Sequence, residues 1–154
     1  KLNAPPYLAA REEGIKISME KIFAAYCLLP GGSNTLIVED SGGLNIPLND
    51  VEFVSDLIRV LNARVILVSK NCPGSLNHSL LTSKVSRQKN LRVLGWVFND
   101  KYLDYENDIA RWSGFPKLGS VPRHDFLNKE IIAAAAAEIR ETILQALPPQ
   151  HAQS

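Results

Sequence analysis

Cysteine is scarce in this chain: Cys27 and Cys72 are the two in 154 residues, too few for the disulfide framework of a small secreted scaffold. Charge of one sign is scarce as well. Lys and Arg number 17 against 16 Asp and Glu, a formal net charge of +1. That balance excludes the basic face by which a protein holds a polyanion. No apolar run approaches the roughly 20 residues of a membrane span, and no signal-peptide pattern is legible. The expectation is a cytoplasmic protein with neither nucleic acid nor membrane as a partner. Two nucleotide fingerprints are also missing, the G-x-x-x-x-G-K-[ST] phosphate loop and G-x-G-x-x-G. The first residue is Lys1 rather than methionine, which a processed terminus, a tag remnant or a fragment would each explain.

What is present is a soluble-protein composition, 45% hydrophobic and 21% charged, patterned as alternating strands and helices. Short β-branched runs occupy residues 35–39, 65–69, 92–98 and, more weakly, 117–121. Runs apolar on both faces suit strands buried between helix layers, hence a parallel sheet. Between them the spacing predicts helices. Met19, Ile22, Phe23 and Tyr26 fall at i, i+3, i+4 and i+7 behind a Ser18 cap. Asn49 or Asp50 is positioned to cap a helix through Leu61, and Ser75 one that runs to about Gln88. A short helix covers Tyr105 to Trp112, and a last one, with Asp125 as a candidate cap, covers about Phe126 to Leu147. The expected fold is an open, mostly parallel α/β sheet flanked by helices. It forms one domain over residues 1–147, followed by a disordered tail at 148–154.

In such sheets ligands bind at the C-terminal ends of the strands. The first run is followed by Glu39-Asp40-Ser41-Gly42-Gly43. Two carboxylates with two glycines suit Mg²⁺ beside a phosphate, while the spacing alone favours a solvated acidic turn. The second run is followed by Cys72-Pro73-Gly74 and a helix opening Ser75-Leu76-Asn77-His78. A helix N-terminus there offers unpaired N–H groups to a carboxylate or phosphate; plain capping is the alternative. Cys72 lacks a legible Cys–His–acid arrangement and reads as a small thiol. Asn99 and Asp100 follow the third run, and Pro122, Arg123, His124 and Asp125 the fourth. An Asn leaving a strand can pair with a purine edge, though it is also a common turn residue. His78, His124 and His151 are too scattered for a metal site.

Several of these segments together resemble dethiobiotin synthetase, the ATP-dependent ligase of biotin synthesis. Ala4-Pro5-Pro6-Tyr7-Leu8-Ala9-Ala10 is similar to the family's APxSPHLAA stretch. Ile37-Val38-Glu39-Asp40-Ser41-Gly42-Gly43-Leu44 is similar to VVEGAGGL, and Gly74-Ser75-Leu76-Asn77-His78-Ser79-Leu80-Leu81-Thr82 to GxINHxLLT. Gly95-Trp96-Val97-Phe98-Asn99 resembles GWVxN, and Leu118-Gly119-Ser120-Val121-Pro122 resembles LGxIP. The matches fall in family order and begin partway into the family's sequence. The resemblance therefore implies a P-loop NTPase-like fold whose N-terminal strand, phosphate loop and catalytic lysines are missing here. Asp40 stands where the family has glycine.

The resemblance implies a reaction and a set of roles. Diaminopelargonic acid (7,8-diaminononanoate) takes up CO₂ as a carbamate, ATP phosphorylates the carbamate, and the second amine closes the ring of dethiobiotin. Glu39 would hold Mg²⁺. Glu39, Asp40, Ser41 and Gly42 would lie near the phosphates. Asn99 would read the adenine, with Asp100, Pro122, Arg123 and His124 beside the nucleotide. Gly74, Ser75, Leu76 and Asn77 would receive the substrate carboxylate for the neighbouring subunit's site, which implies a homodimer. The competing expectation is a non-catalytic relative or fragment that keeps the fold and dimer surface without ATP chemistry. A flavodoxin-like or receiver-type module fits the motif order less well.

Overall fold

The computed structural model describes residues 4–29, 35–39, 42–100 and 103–148. In chain order the elements are α1 (Pro6–Glu12), α2 (Met19–Cys27), α3 (Val54–Val60), β1 (Arg64–Lys70), α4 (Ser75–Gln88), β2 (Arg92–Asn99), α5 (Glu106–Ser113), β3 (Lys117–Val121) and α6 (Lys129–Ala146). The chain divides into two compact units. One comprises Lys1–Ala63 with Val85–Leu91, the other Arg64–Lys84 with Arg92–Ser154.

The second unit holds the sheet, three parallel strands in the order β1-β2-β3. This bears out the expected parallel α/β fold. β2 is the central strand, and Trp96, Val97 and Phe98 are all buried, so both of its faces are covered. Trp96 stacks on Phe98 at 5.9 Å and donates its indole N–H to Ser113 Oγ at 2.8 Å, which ties α5 to the sheet. Ile109 and Leu118 complete this core. Gly119 is the point of closest approach by α6, because a Cβ there would stand 2.2 Å from Ile139 Cγ2. β1 alternates instead. Leu67 and Ser69 are buried while Val68 is 69% exposed. The last helix is capped by Asn128, whose Oδ1 accepts from Ile131 N at 2.8 Å. Asp125 does not cap it, because the helix begins later than the apolar pattern indicated.

The first unit is smaller and gathers Met19, Leu48 and Val54 with Ile17, Ile46, Leu57 and Ile58 around them. Ser18 caps α2 as expected, its Oγ accepting from Lys21 N at 3.2 Å. Asn49 does not cap α3. Its Oδ1 takes the N–H groups of Val51 and Glu52 and closes a turn. The helix instead starts after Phe53, whose N–H is taken by Asp56 Oδ2 at 3.0 Å. Burial raises the Asp56 carboxyl, but hydrogen bonds from Lys89 and Phe53 N–H and the charges of Lys89 and Arg59 hold it below the usual value.

The strand expected at 35–39 is not formed. Residues 35–39 are irregular, and Leu36, Ile37 and Val38 are 51, 87 and 60% exposed. β propensity expresses packing against neighbouring strands more than a backbone preference. Among the described residues no strand pairs with this run. Asp40 and Ser41, residues 30–34, and His151 with the rest of 149–154 lie outside the described residues.

Candidate functional site

The C-terminal ends of the three strands converge on an open cleft of about 470 Å³. Lys70, Asn71, Cys72 and Pro73 enter from the loop after β1, Asp100 from the end of β2, and Arg123 and His124 from the segment after β3. Three of the residues expected from the sequence, Asp100, Arg123 and His124, thus meet in one place. Asn99 and Pro122 are exposed neighbours of that lining. Asn99 Oδ1 accepts Asp100 N–H at 3.1 Å, which occupies one of its two lone pairs.

The backbone at these strand ends is tightly held. Asn71 N–H extends the ladder to Asn99 O at 2.8 Å, and Asp100 N–H bonds to Val121 O at 3.0 Å. Asp100 has φ of 62°, left-handed backbone that a non-glycine residue adopts at some cost. Its carboxylate faces Lys70 Nζ at 3.8 Å, an open contact with the lysine 69% exposed. Such a pair is weak, so Lys70 remains available to a ligand.

Beneath the cleft sits a carboxylate that the sequence reading missed. Glu106, the first residue of α5, is 9% exposed. Its Oε1 accepts from Asn71 Nδ2 at 2.7 Å, and its Oε2 from Lys117 Nζ at 2.7 Å and from Ser120 Oγ. One side chain therefore fastens the loop after β1 to β3. Burial pushes the Glu106 carboxyl up, but the hydrogen bonds from Lys117 and Ser120, the Lys117 charge and the Asn71 amide together hold it below the ordinary value. Tyr105, just before it, gives the same loop a second anchor. Its hydroxyl meets Ser75 Oγ at 2.6 Å and donates to Cys72 O at 3.2 Å.

Those bonds bear on the helix opening at Gly74. Gly74 has φ of 86°, the left-handed turn that favours glycine. Ser75 is buried, its N–H bonds to Cys72 O, and its hydroxyl is engaged by Tyr105. Leu76 and Asn77 follow in the first turn, and the Asn77 side chain is exposed. An anion there would meet the N–H groups of Leu76 and Asn77 and the Asn77 amide, the Ser75 N–H and hydroxyl being engaged by Cys72 O and Tyr105.

Glu39 and Gly42 belong to the first unit and are exposed. No cluster of three or more His, Cys, Asp or Glu side chains able to hold a metal occurs among the described residues. A lone carboxylate still fits Mg²⁺ carried by a nucleotide, since that ion keeps several waters and uses one or two carboxylates with substrate phosphates. No described helix is long and apolar enough to cross a membrane.

The family model described as an AAA domain matches residues 1–131. The chain belongs to that family. It is also similar to proteins named ATP-dependent dethiobiotin synthetase BioD. With that of Cytophaga hutchinsonii it shares 39% identity over 135 residues, 87% of this chain and 64% of the relative. With that of Thermodesulfovibrio yellowstonii it shares 36% over 147 residues, 85% of this chain and 61% of the relative. With that of Brucella abortus strain S19 the figures are 34% over 133 residues, 84% and 60%. The chain thus spans less than two thirds of these curated relatives, and it matches their C-terminal part.

Lys70, Asn71 and Glu106 were within reach of sequence reasoning only in part. Lys70 and Asn71 stand directly after an expected strand, where α/β sheets place their ligands. Nothing in the sequence signals that Glu106, 35 residues from Asn71, lies beneath them.

Proposed function

We propose that this chain is the nucleotide-base and substrate-carboxylate part of an ATP-dependent dethiobiotin synthetase. The observation that carries the reading is the strand-end cleft, whose lining residues Pro73, Asp100 and Arg123 directly flank the segments that resemble dethiobiotin synthetase. Asn99 and the cleft residues Asp100, Arg123 and His124 bind the nucleotide at its base and ribose. Lys70 and Arg123 add positive charge to the cleft wall. Glu39 holds Mg²⁺, and Asp40, Ser41 and Gly42 serve the phosphates. When bound, Mg²⁺ neutralises charge on the phosphoryl group being transferred. The first turn of α4, Gly74 to Asn77, holds the substrate carboxylate at a twofold interface, so the working form is a homodimer. The substrates are diaminopelargonic acid, CO₂ and ATP. The chain's contribution to rate is then positioning of reactants rather than covalent chemistry.

The test is CO₂- and ATP-dependent formation of dethiobiotin from the diamine, followed together with ATP binding. Turnover at a rate above that of an Asn99→Ala variant supports the ligase. A second reading, a relative that binds nucleotide without turnover, is favoured by Asp40, a carboxylate where the family has glycine. ATP binding without product would support it, and the absence of both binding and turnover would reject both readings.

A further inference from the structure

We propose that Glu106 is a positioning residue of the strand-end cleft. Through the Asn71 amide it holds Asp100 in a left-handed backbone conformation, which keeps the Asp100 carboxylate on the cleft wall as acceptor for the hydroxyls of a bound ribose. The inference rests on the nucleotide reading above and adds to it a residue that touches no ligand. Asp100 has φ of 62°, a conformation that strains a non-glycine residue and persists only where its surroundings impose it. Asn62 and Asn90 share it, but each stands just past the end of a helix, where a left-handed residue is an ordinary ending. Asp100 instead leaves the central strand β2, at the side where α/β sheets take their ligands.

Hydrogen bonds on both sides of its backbone impose this conformation. The Asp100 N–H donates to Val121 O at 3.0 Å and to Asn99 Oδ1 at 3.1 Å. The Asp100 carbonyl accepts from Asn71 Nδ2 at 3.0 Å. The same Nδ2 donates to Glu106 Oε1 at 2.7 Å, so the carboxylate beneath the cleft sets which way the Asn71 amide faces. The other oxygen, Oε2, is taken by Lys117 Nζ and Ser120 Oγ and anchors Glu106 to β3. A glutamine at 106 would turn its one carbonyl oxygen to the Lys117 charge and present its NH₂ to the Asn71 NH₂. Two donors do not bond, so the Asn71 amide would turn round and withdraw its donor from Asp100 O. Above this clamp the Asp100 side chain lines the cleft and is 21% exposed. Lys70 Nζ stands 3.8 Å from its Oδ2, too far for a hydrogen bond. The carboxylate therefore keeps acceptor sites for vicinal hydroxyls, and an O–H bonded to a carboxylate makes one of the stronger hydrogen bonds.

The experiment measures binding of ATP and of dideoxy-ATP, which lacks both ribose hydroxyls, to the full chain by calorimetry, at a temperature where circular dichroism shows each variant folded. The wild type should prefer ATP by about tenfold or more, because a site built to bond a hydroxyl rejects the analogue without it. Asp100→Gly should bring the preference to within about twofold, since glycine keeps the backbone conformation and removes the acceptor. Glu106→Gln should do the same with the Asp100 carboxylate still present, and in the Asp100→Gly background it should change the preference by less than about twofold. Ser120→Ala loses a bond to the same carboxylate but keeps the Asn71 contact, so it should lower stability and retain the preference. If Glu106→Gln does not fold, Asn71→Ala breaks the same chain of contacts one step later and is judged by the same ratio. A Glu106 that only stabilises the fold would weaken both nucleotides alike and leave the ratio unchanged. A preference retained in Glu106→Gln or in Asp100→Gly, or lost equally in Ser120→Ala, overturns the assignment while leaving the cleft as a nucleotide site. Equal affinity of the wild type for the two nucleotides does the same. Failure of the wild type to bind either overturns the assignment and the nucleotide reading together.

Discussion

Thr35-Leu36-Ile37-Val38 and Val65-Ile66-Leu67-Val68 are nearly interchangeable as strings of residues, yet one is irregular and exposed while the other is the body of a strand. Composition does not separate them. The second pairs residue by residue with β2, from Arg64 opposite Arg92 to Lys70 opposite Asn99. The first has no strand beside it among the described residues. Even β1 is half-finished as a strand, since Val68 points its apolar side chain into solvent. A β-branched run is therefore an offer of strand structure that a neighbour has to accept, and an exposed apolar edge is the form the offer takes when nothing covers it.

The sharpest way to break this contrast is to truncate a buried and an exposed apolar residue in parallel. Phe98→Ala removes a fully buried ring from the central strand and should cost about 3–5 kcal/mol. Ile37→Ala, at a residue 87% exposed, should stay within about 0.5 kcal/mol. Urea denaturation of the two variants checks this, and equal losses would mean that residues 35–39 are packed after all.

A somewhat smaller effect is expected from Glu106→Gln. It keeps the shape but removes the charge that Lys117 and Ser120 pair with, and should cost about 2–3 kcal/mol. The same residue gives a pH dependence. Its folded carboxyl lies below the ordinary 4.5, so its stabilising contribution is complete above that value. It is lost as the pH falls from there through the lower folded value. Asp56 does the same in the other unit, from an ordinary value of 3.8. Denaturation midpoints measured from about pH 6 to about pH 3 should fall for the wild type, and less steeply for Glu106→Gln.

Gly119→Ala probes the sheet from its other face. The new methyl would meet Ile139, and overpacking of this kind costs about 1–3 kcal/mol. The companion Gly119→Ala/Ile139→Val should recover part of that loss in thermal unfolding; no recovery would mean that the strain lies elsewhere. The smallest expected effect is at the edge of β1. Val68→Lys should change stability by less than about 0.5 kcal/mol and reduce self-association in sedimentation experiments, because a lysine blunts an open edge.

How far the sequence carried varies with the range of the interaction. Helices α2 and α4 were legible because their signals are local: a Ser18 cap with apolar residues at helical spacing, and a glycine turn before Ser75. β1, β2 and β3 were legible as runs, and their parallel pairing followed from the helices between them. The start of α3 was misplaced because Asn49 satisfies a turn that looks like a cap in one dimension. The run at 35–39 was misread because strand formation depends on a partner, which no property of the run itself reveals. In the candidate site, Asp100, Arg123 and His124 followed from the rule that ligands sit at strand ends. Glu106, Lys117 and Ser120 escaped because their role exists only once α5 and β3 are folded against the loop after β1.

The central claim is that the ends of β1, β2 and β3 form the nucleotide-base site, and amide chemical-shift mapping with a non-hydrolysable ATP analogue tests it most directly. The shifts should concentrate at residues 70–72, 99–100 and 123–124. Shifts confined to other parts of the chain, or none at saturating analogue, would contradict it.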